Sequence, residues 1–318
     1  MIDINAQLAQ PEAPLCRRLA ELALEHATAD GIHDTCIPGL QMFRADQPSA
    51  LNCGVYDPAL CVIAQGSKTV QLGDKEIAYG PLTYMISAVD LPVVGAVIEA
   101  SAQEPYLAVK LSIDPQEVAE MVLELGDTLP PLDQQRDCPA AACGLSVAPV
   151  NVGILEAMTR LVSLLDSPAD CRILAPLVRR EIIYRALIGE MGWRMRDFVA
   201  TDSQAHRISK VIAVLKDRFA EPLRVRELAD DVNMSESTLF HTFKQVTRMS
   251  PVQFQKKLRL HEARRLMLSE GLEAATASYR VGYESPSHFS REYRRMFGAP
   301  PRADVIKLRG EQPMLATM

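Results

Sequence analysis

The sequence predicts an α+β chain in two parts, a strand-rich amino-terminal half and an all-helical carboxy-terminal half. Three observations carry this. From about residue 36 to 113, short runs rich in Val, Ile, Leu and Tyr alternate with turn signals. From about residue 204 onward every apolar pattern has the helical period. The charge divides at the same place: residues 204–318 hold 20 Lys and Arg against 13 Asp and Glu, a balance of +7, whereas the preceding 203 residues carry −13. Such a split points to an anionic partner for the second half.

Taken in order, residues 12–29 read as a helix with Leu15, Leu19, Leu22 and Ala23 on one face. The strand texture follows in "LCVIAQGSKTVQL", "KEIAYG", "LTYMISAV", "VVGAVIEA" and "YLAVKLSI". Gln65-Gly66, Gly73-Asp74, Gly80-Pro81, Leu91-Pro92 and Glu104-Pro105 punctuate them, and Gly73-Asp74 suits a hairpin. Many short strands so separated argue for an antiparallel sandwich or barrel. Asp114 and Pro115 open a helix as cap and first residue, and residues 126–150 read as a loop. Two helices follow, one through Val152, Leu155, Met158, Leu161, Val162 and Leu165, the other through Ile173, Leu174, Leu177, Val178, Ile182 and Leu187. Residues 1–190 therefore form one domain, 191–204 a linker and 205–310 a second domain.

The second domain repeats one layout: short helix, tight turn, second helix. The units fall at about 225–247 and 273–297, and their second-helix caps, Ser235 and Ser285, are 50 residues apart. In the second unit Phe289, Tyr293, Met296 and Phe297 share an inner face, while Ser287, His288, Arg291, Arg294 and Arg295 lie off it. In the first, Leu239, Phe243 and Val246 point inward and Ser237, His241, Lys244 and Arg248 outward. Gly282 permits the sharp turn. One amphipathic two-turn helix with charge outside is common in any helical domain. Two of them, a connecting helix with Lys256, Lys257, Arg259, Arg264 and Arg265, and the +7 balance point to a duplex. A major groove about 12 Å wide admits such a helix. Arg291 suits guanine O6 and N7, Ser287 and His288 sit where base edges are read, and Arg294 and Arg295 suit phosphates.

Other classes are argued against. No apolar run reaches 18 residues, so no membrane span is expected, and the start lacks the basic and apolar regions of a secretory signal. A cytoplasmic protein is the expectation. Seven Cys occur with no C-x-x-C pair, and the six His do not cluster with them, so no zinc and no cofactor is expected. No His lies between 34 and 205, which counts against a catalytic metal barrel and hence an enzyme. Two alternatives stay open: a redox-responsive regulator acting through Cys36, Cys53 or Cys61, and a barrel enzyme with a helical appendage.

Residues from about 205 to 310 resemble the two-subdomain DNA-binding region of AraC/XylS-type transcription regulators. The carrying stretches are "LADDVNMSESTLFHTFKQVTRMSPVQF", "RLHEARRLM" and "VGYESPSHFSREYRRMFGAPP". Ala277 and Ser278 depart from the Ile-Ala usual in the helix before "VG". The first half resembles the amino-terminal domain of one AraC subgroup through "LCVIAQGSKTVQLGD", "YGPLTYMISAVDLPV" and "SPADCRILAPLVRREIIYRAL". The resemblance implies a cupin-like β-barrel with flanking helices, and two helix-turn-helix subdomains joined by a long helix. It implies a sequence-specific regulator that binds an operator in double-stranded DNA and responds to an unknown small-molecule effector. Ser237, Thr238 and His241 inherit the first base-reading role and Ser287, His288 and Arg291 the second, with Lys244 and Arg248 joining Arg294 and Arg295 on phosphates. Tyr56, Tyr79, Tyr84 and Met85 are the candidates for an effector pocket. A homodimer is expected, with RNA polymerase as a further partner.

Overall fold

The computed structural model of the chain describes residues 12–129, 143–201 and 203–310. Helix α1 (Ala13–His26) buries Cys16, Leu19, Ala20, Leu22 and Ala23 along one stripe. Nine strands follow: β1 (Gly31–Asp34), β2 (Leu40–Ala45), β3 (Asn52–Tyr56), β4 (Ala59–Gln65), β5 (Ser67–Leu72), β6 (Lys75–Tyr79), β7 (Thr83–Ser87), β8 (Leu91–Glu99) and β9 (Tyr106–Ser112). Helix α2 (Pro115–Leu125) starts as its sequence predicts, with the Asp114 carboxylate accepting the Gln116 N–H. After β10 (Leu145–Pro149) come α3 (Val152–Ser163), α4 (Pro168–Ile188) and α5 (Gly192–Val199).

The strands make two antiparallel sheets, ordered β1-β2-β9-β4-β7-β10 and β3-β8-β5-β6. These sheets are not closed into a barrel, which corrects the cupin-like β-barrel expectation. No ladder joins β1 or β10 of one sheet to β3 or β6 of the other. The physical reason lies at the edges. Strand β10, in a segment that reads as loop, pairs with β7 from Leu145↔Ser87 to Pro149↔Thr83 and becomes the outer edge of the large sheet. Between it and β6 a cleft of about 370 Å3 remains, lined by Lys75, Ile77, Ala78, Leu145, Val147 and Arg194 among others. The Arg194 guanidinium donates to Ser146 Oγ at 2.5 Å across that edge.

Alternation along the strands assigns the faces. Met42, Leu60, Val62, Tyr84, Leu107 and Val109 of the large sheet pack against α1, α3 and α4 in one core. Phe43, Cys61, Ile63, Met85 and Ala108 point the other way, against Tyr56, Val70, Leu72, Tyr79 and Val93 of the small sheet. Residues 191–204, expected as a linker, hold α5, whose Met195 and Phe198 are buried.

The carboxy-terminal half is helical throughout: α6 (Gln204–Asp217), α7 (Val225–Asp231), α8 (Glu236–Thr247), α9 (Pro251–Ser269), α10 (Ala274–Arg280), α11 (Pro286–Phe297) and α12 (Pro301–Gly310). Helix α9 opens with a capping box in which Ser250 and Gln253 satisfy each other's backbone N–H groups. It links two small cores. The first, around Leu239, Phe243 and Phe254, is continuous with the space between the sheets. The second centres on Ala263, Val281, Phe289 and Tyr293. No helix among the described residues is long and apolar enough to cross a membrane.

Candidate nucleic-acid interface and the space between the sheets

The same local chemistry builds each helix pair. After α7, Asn233 turns the chain at φ +53° and Ser235 caps α8, accepting the Thr238 N–H. After α10, Gly282 turns at φ +86° and Ser285 caps α11, accepting the His288 N–H. Leu239, Phe243 and Val246 are buried on α8, and Phe289 and Tyr293 on α11. Ser237, Thr238, His241 and Lys244 are exposed on α8; Ser287, His288, Arg291, Arg294 and Arg295 are exposed on α11. The Gln245 amide donates to His241 Nε2 at 3.0 Å, which holds the ring on that edge.

Arg248 stands apart from this set. It is half-buried, caps α8 in the left-handed region at φ +57°, and its backbone packs on Gly73 at the β5–β6 hairpin. Sequence reading passed over Phe240, which is 47% exposed on the outer side of α8. Its i+3 spacing from Ser237 and i−4 spacing from Lys244 were the available signal, and an exposed ring there can meet a thymine methyl.

Two of the basic residues of α9 are structural. Arg264 is buried in a bidentate pair with Asp304, both contacts 2.9 Å, and the Tyr293 hydroxyl donates to the same carboxylate at 2.7 Å. Arg259 donates to the carbonyls of Phe219, Glu221 and Gly282 at 2.7, 2.8 and 2.9 Å. These contacts tie α9 to the second turn and fix where α11 projects.

The carboxyl ends of both exposed helices rest on the sheets. The Gly144 N–H donates to the Val246 carbonyl at 3.0 Å, and Cys53 Sγ lies 3.6 Å from the Met296 carbonyl oxygen. Lys216 pairs with Asp90 at 2.6 Å.

Between the sheets lies a polar cluster. Tyr56, Tyr79 and Lys68 come from the small sheet, Tyr106 and Cys61 from the large one. Lys68 sits opposite Tyr79 in the β5–β6 ladder, and its ammonium stands 5.5 Å from the centre of the Tyr56 ring. The Tyr106 hydroxyl is buried without a hydrogen bond, and the Tyr56 and Tyr79 hydroxyls, also buried, meet only each other in a contact short of a well-formed bond. Each such group costs about 1–3 kcal/mol of desolvation. Burial holds all three phenols well above their ordinary pKa, pushes the Cys61 thiol up to about 12 and pulls Lys68 down to about 8. The structure thus brings Tyr56 and Tyr79 together. Met85 shares their core, whereas its neighbour Tyr84 faces the helices on the other side of β7. Lys68 and Tyr106 were missed: a lysine in "GSKTVQL" carries no signal of burial until the register is known. Cys53 and Cys61 are not brought together, since Cys53 points at Met296 while Cys61 is in the inter-sheet core. Among the described residues no group of three or more His, Cys, Asp or Glu is placed to hold a metal ion.

Two helix-turn-helix units on one basic helical domain, joined to a double-sheet unit, define the class: a two-part helix-turn-helix regulator. Residues 36–194 match the family described as the AraC-type transcriptional regulator N-terminus, and residues 228–304 match a helix-turn-helix domain. The chain belongs to the AraC family of transcription regulators. It is 30% identical over 153 residues to the HTH-type transcriptional activator RhaS of Salmonella arizonae, covering 48% of this chain and 55% of that protein. RhaS of Salmonella paratyphi B is 29% identical over the same length. The chain spans about half the length of these curated relatives. Among solved structures, an apo ToxT variant from Vibrio cholerae superposes with TM-score 0.55 at 12% identity, covering 86% of this chain and 99% of that one. ToxT with an unsaturated fatty acid bound also gives 0.55, at 13% identity and 86% and 95% coverage. At such identity the likeness is one of fold.

Proposed function

We propose that the chain is a sequence-specific DNA-binding regulator of transcription whose DNA binding responds to a small molecule held between its two sheets. The observation that carries this is the duplicated exposed edge: Ser237, Thr238 and His241 on α8, and Ser287, His288 and Arg291 on α11, each at the first turns of a capped helix with a buried opposite face. Those edges read bases in successive major-groove segments. Lys244, Arg294 and Arg295 follow one or two turns later and meet phosphates, adding affinity without sequence preference. Arg248, held at the seam with Gly73, reaches phosphate only from the rim of α8.

The small molecule acts by population shift. Because both reading helices end against the sheets, a ligand that changes the sheets' packing favours one arrangement of the two edges. The fatty acid in a ToxT structure supports a ligand-responsive reading. The RhaS relatives are named as activators, and a contact with RNA polymerase is part of this reading. A second copy of the chain is the expected partner of α4, whose Ile173, Leu177, Tyr184 and Ile188 are exposed along one side.

The test is selection of bound fragments from genomic DNA, then fluorescence anisotropy on the recovered operator. Arg291→Ala is expected to weaken binding and relax preference at one base pair. Unchanged affinity and selectivity in that variant refute the assignment.

A further inference from the structure

We propose that Lys68, Tyr56, Tyr79 and Tyr106 bind the charged end of a small organic carboxylate admitted through the gap between β6 and β10. This deepens the ligand-responsive reading above and rests on it. The first support is the kind of group assembled. Three buried phenols offer O–H donors that meet no acceptor outside the cluster, Tyr56 and Tyr79 facing only each other, and a buried ammonium stands beside the Tyr56 ring. A carboxylate, with two oxygens and about four lone-pair sites, is the compact group that such a set of donors complements. Burial keeps the phenols protonated across the physiological range. The second support is access. The sheets fail to close where β6 and β10 face each other, and the cleft there, about 370 Å3, falls in the range of small-molecule sites. Ile77 lines that cleft and lies two residues before Tyr79, on the same face of β6. The third support is clearance. A Cβ on Gly95 would stand 3.2 Å from Lys68 Cε, so glycine leaves the lysine stem its path across β8.

The groups facing Lys68 are Tyr56 on β3, Cys61 on β4, Tyr79 on β6 and Tyr106 on β9, with Lys110 farther along β9 near Cys61 and ion-paired to Asp57. Lys68 releases its proton near pH 8 in the free protein. A bound carboxylate raises that value. Affinity for the anion is therefore constant below about pH 8 and falls as pH rises from there toward the raised value.

The experiment is calorimetric titration of the full chain with matched acid and amide pairs: benzoate and benzamide, cyclohexanecarboxylate and its amide, hexanoate and hexanamide. At least one acid is expected to bind about tenfold or more tightly than its amide. Lys68→Met is expected to abolish that preference, and Tyr79→Phe to cut acid affinity by about tenfold. The unfolding temperature of Lys68→Met is measured on the same preparation, so that its acid preference is read on folded protein. Absence of acid preference across the panel, or its survival in Lys68→Met, overturns the proposal. Operator binding is measured on the same preparations. Intact operator binding without acid preference sinks the ligand class alone; loss of operator binding in the natural chain sinks the regulator reading.

A separate observation carries a second inference. Cys36, exposed between β1 and β2, and Cys171, buried on α4, lie with their sulfurs 3.8 Å apart although 135 positions separate them. We infer that this pair is a modification site, forming a disulfide on reaction with a hydroperoxide. The exposed Cys36 thiolate attacks the peroxide oxygen, giving a sulfenic acid and releasing an alcohol, or water from hydrogen peroxide. Cys171 then attacks that sulfur, the S–S bond forms and the sulfenic oxygen leaves as water, so two thiols lose two electrons and the peroxide gains them. Cys36 is the sulfur a peroxide in solvent reaches and so reacts first, while burial and the neighbouring Cys36 raise the Cys171 thiol. Arg179 already ties α4 to this loop through the Pro38 carbonyl at 3.3 Å, so the bond closes without moving either element far. Peptide mass mapping of the full chain after hydrogen peroxide is expected to recover a Cys36–Cys171 linkage that dithiothreitol reverses. Pairing of either residue with another cysteine, or recovery of both as thiols or sulfonic acids, overturns it.

Discussion

Gly282 offers a way to separate backbone strain from steric overlap. It turns the chain into α11 at φ +86°, and a Cβ there would stand 2.1 Å from the Ala220 carbonyl oxygen and 2.8 Å from its carbon. Gly298 ends the same helix at φ +80°, with nothing within 4 Å of its Cβ position. Alanine at either site takes on the left-handed cost of about 1–2 kcal/mol. Only at Gly282 must backbone also move, at a further cost of about 1–3 kcal/mol for overpacking. The overlap falls on the α6–α7 connection that Arg259 binds through the Ala220 and Glu221 carbonyls at 3.2 and 2.8 Å. Gly282→Ala is therefore expected to be less stable than Gly298→Ala by about 1–3 kcal/mol. For a helical half of this size that lowers the melting temperature by roughly 5–20 °C more. Circular dichroism melts of the two variants, with calorimetry to resolve the halves, supply the comparison. Coincident melts would show that the close approach to Ala220 is not a constraint.

Other consequences can be measured directly. Arg291→Ala should lose about 1–3 kcal/mol of operator affinity with altered base preference, whereas Arg294→Ala should weaken all sequences alike and lower the salt slope by about one; anisotropy over a salt series separates them. Asp304→Asn should destabilise the second helix pair by about 3–5 kcal/mol, because Arg264 is left buried without its counter-charge; chemical denaturation reads this. His261 is half-buried with its Nε2 shielded from solvent, and that desolvation, with Arg264 and Lys257 nearby, pulls its pKa down to about 3. The folded state thus keeps it neutral, its contribution is complete above about pH 6.5, and stability falls as pH drops toward 3, by about 2 kcal/mol at pH 5. His261→Leu should flatten that acid limb in a pH series of melts.

Much of the carboxy-terminal half was legible because its signals are local. Caps at Ser235, Ser250 and Ser285, a turn glycine at 282 and stripes with helical period each act within a few residues, and the helices lie where those signals put them. The amino-terminal half was legible only as texture. Strand β10 escaped because Leu145–Pro149 has no alternation to show and gains its identity from pairing with β7, about 60 residues earlier in the chain. Closure of the sheets is likewise a question of which edges meet, and no five-residue run encodes that. The same holds for the inter-sheet cluster: the tyrosines could be guessed from type, but Lys68 is identified only by the register that sets it opposite Tyr79. The sequence also could not separate Arg264, which is internal, from Arg265, which is exposed, since both lie on a helix buried along much of its surface.

The bond from the Gly144 N–H to the Val246 carbonyl is a main-chain link between the two halves. No side chain belongs to it, so a scan that truncates its neighbours one by one would pass over this bond. Only a change that deletes the amide proton, such as Gly144→Pro, can interrogate it. A link between the two halves can in this way survive wide drift in amino-acid identity, which suits a fold whose relatives share few residues.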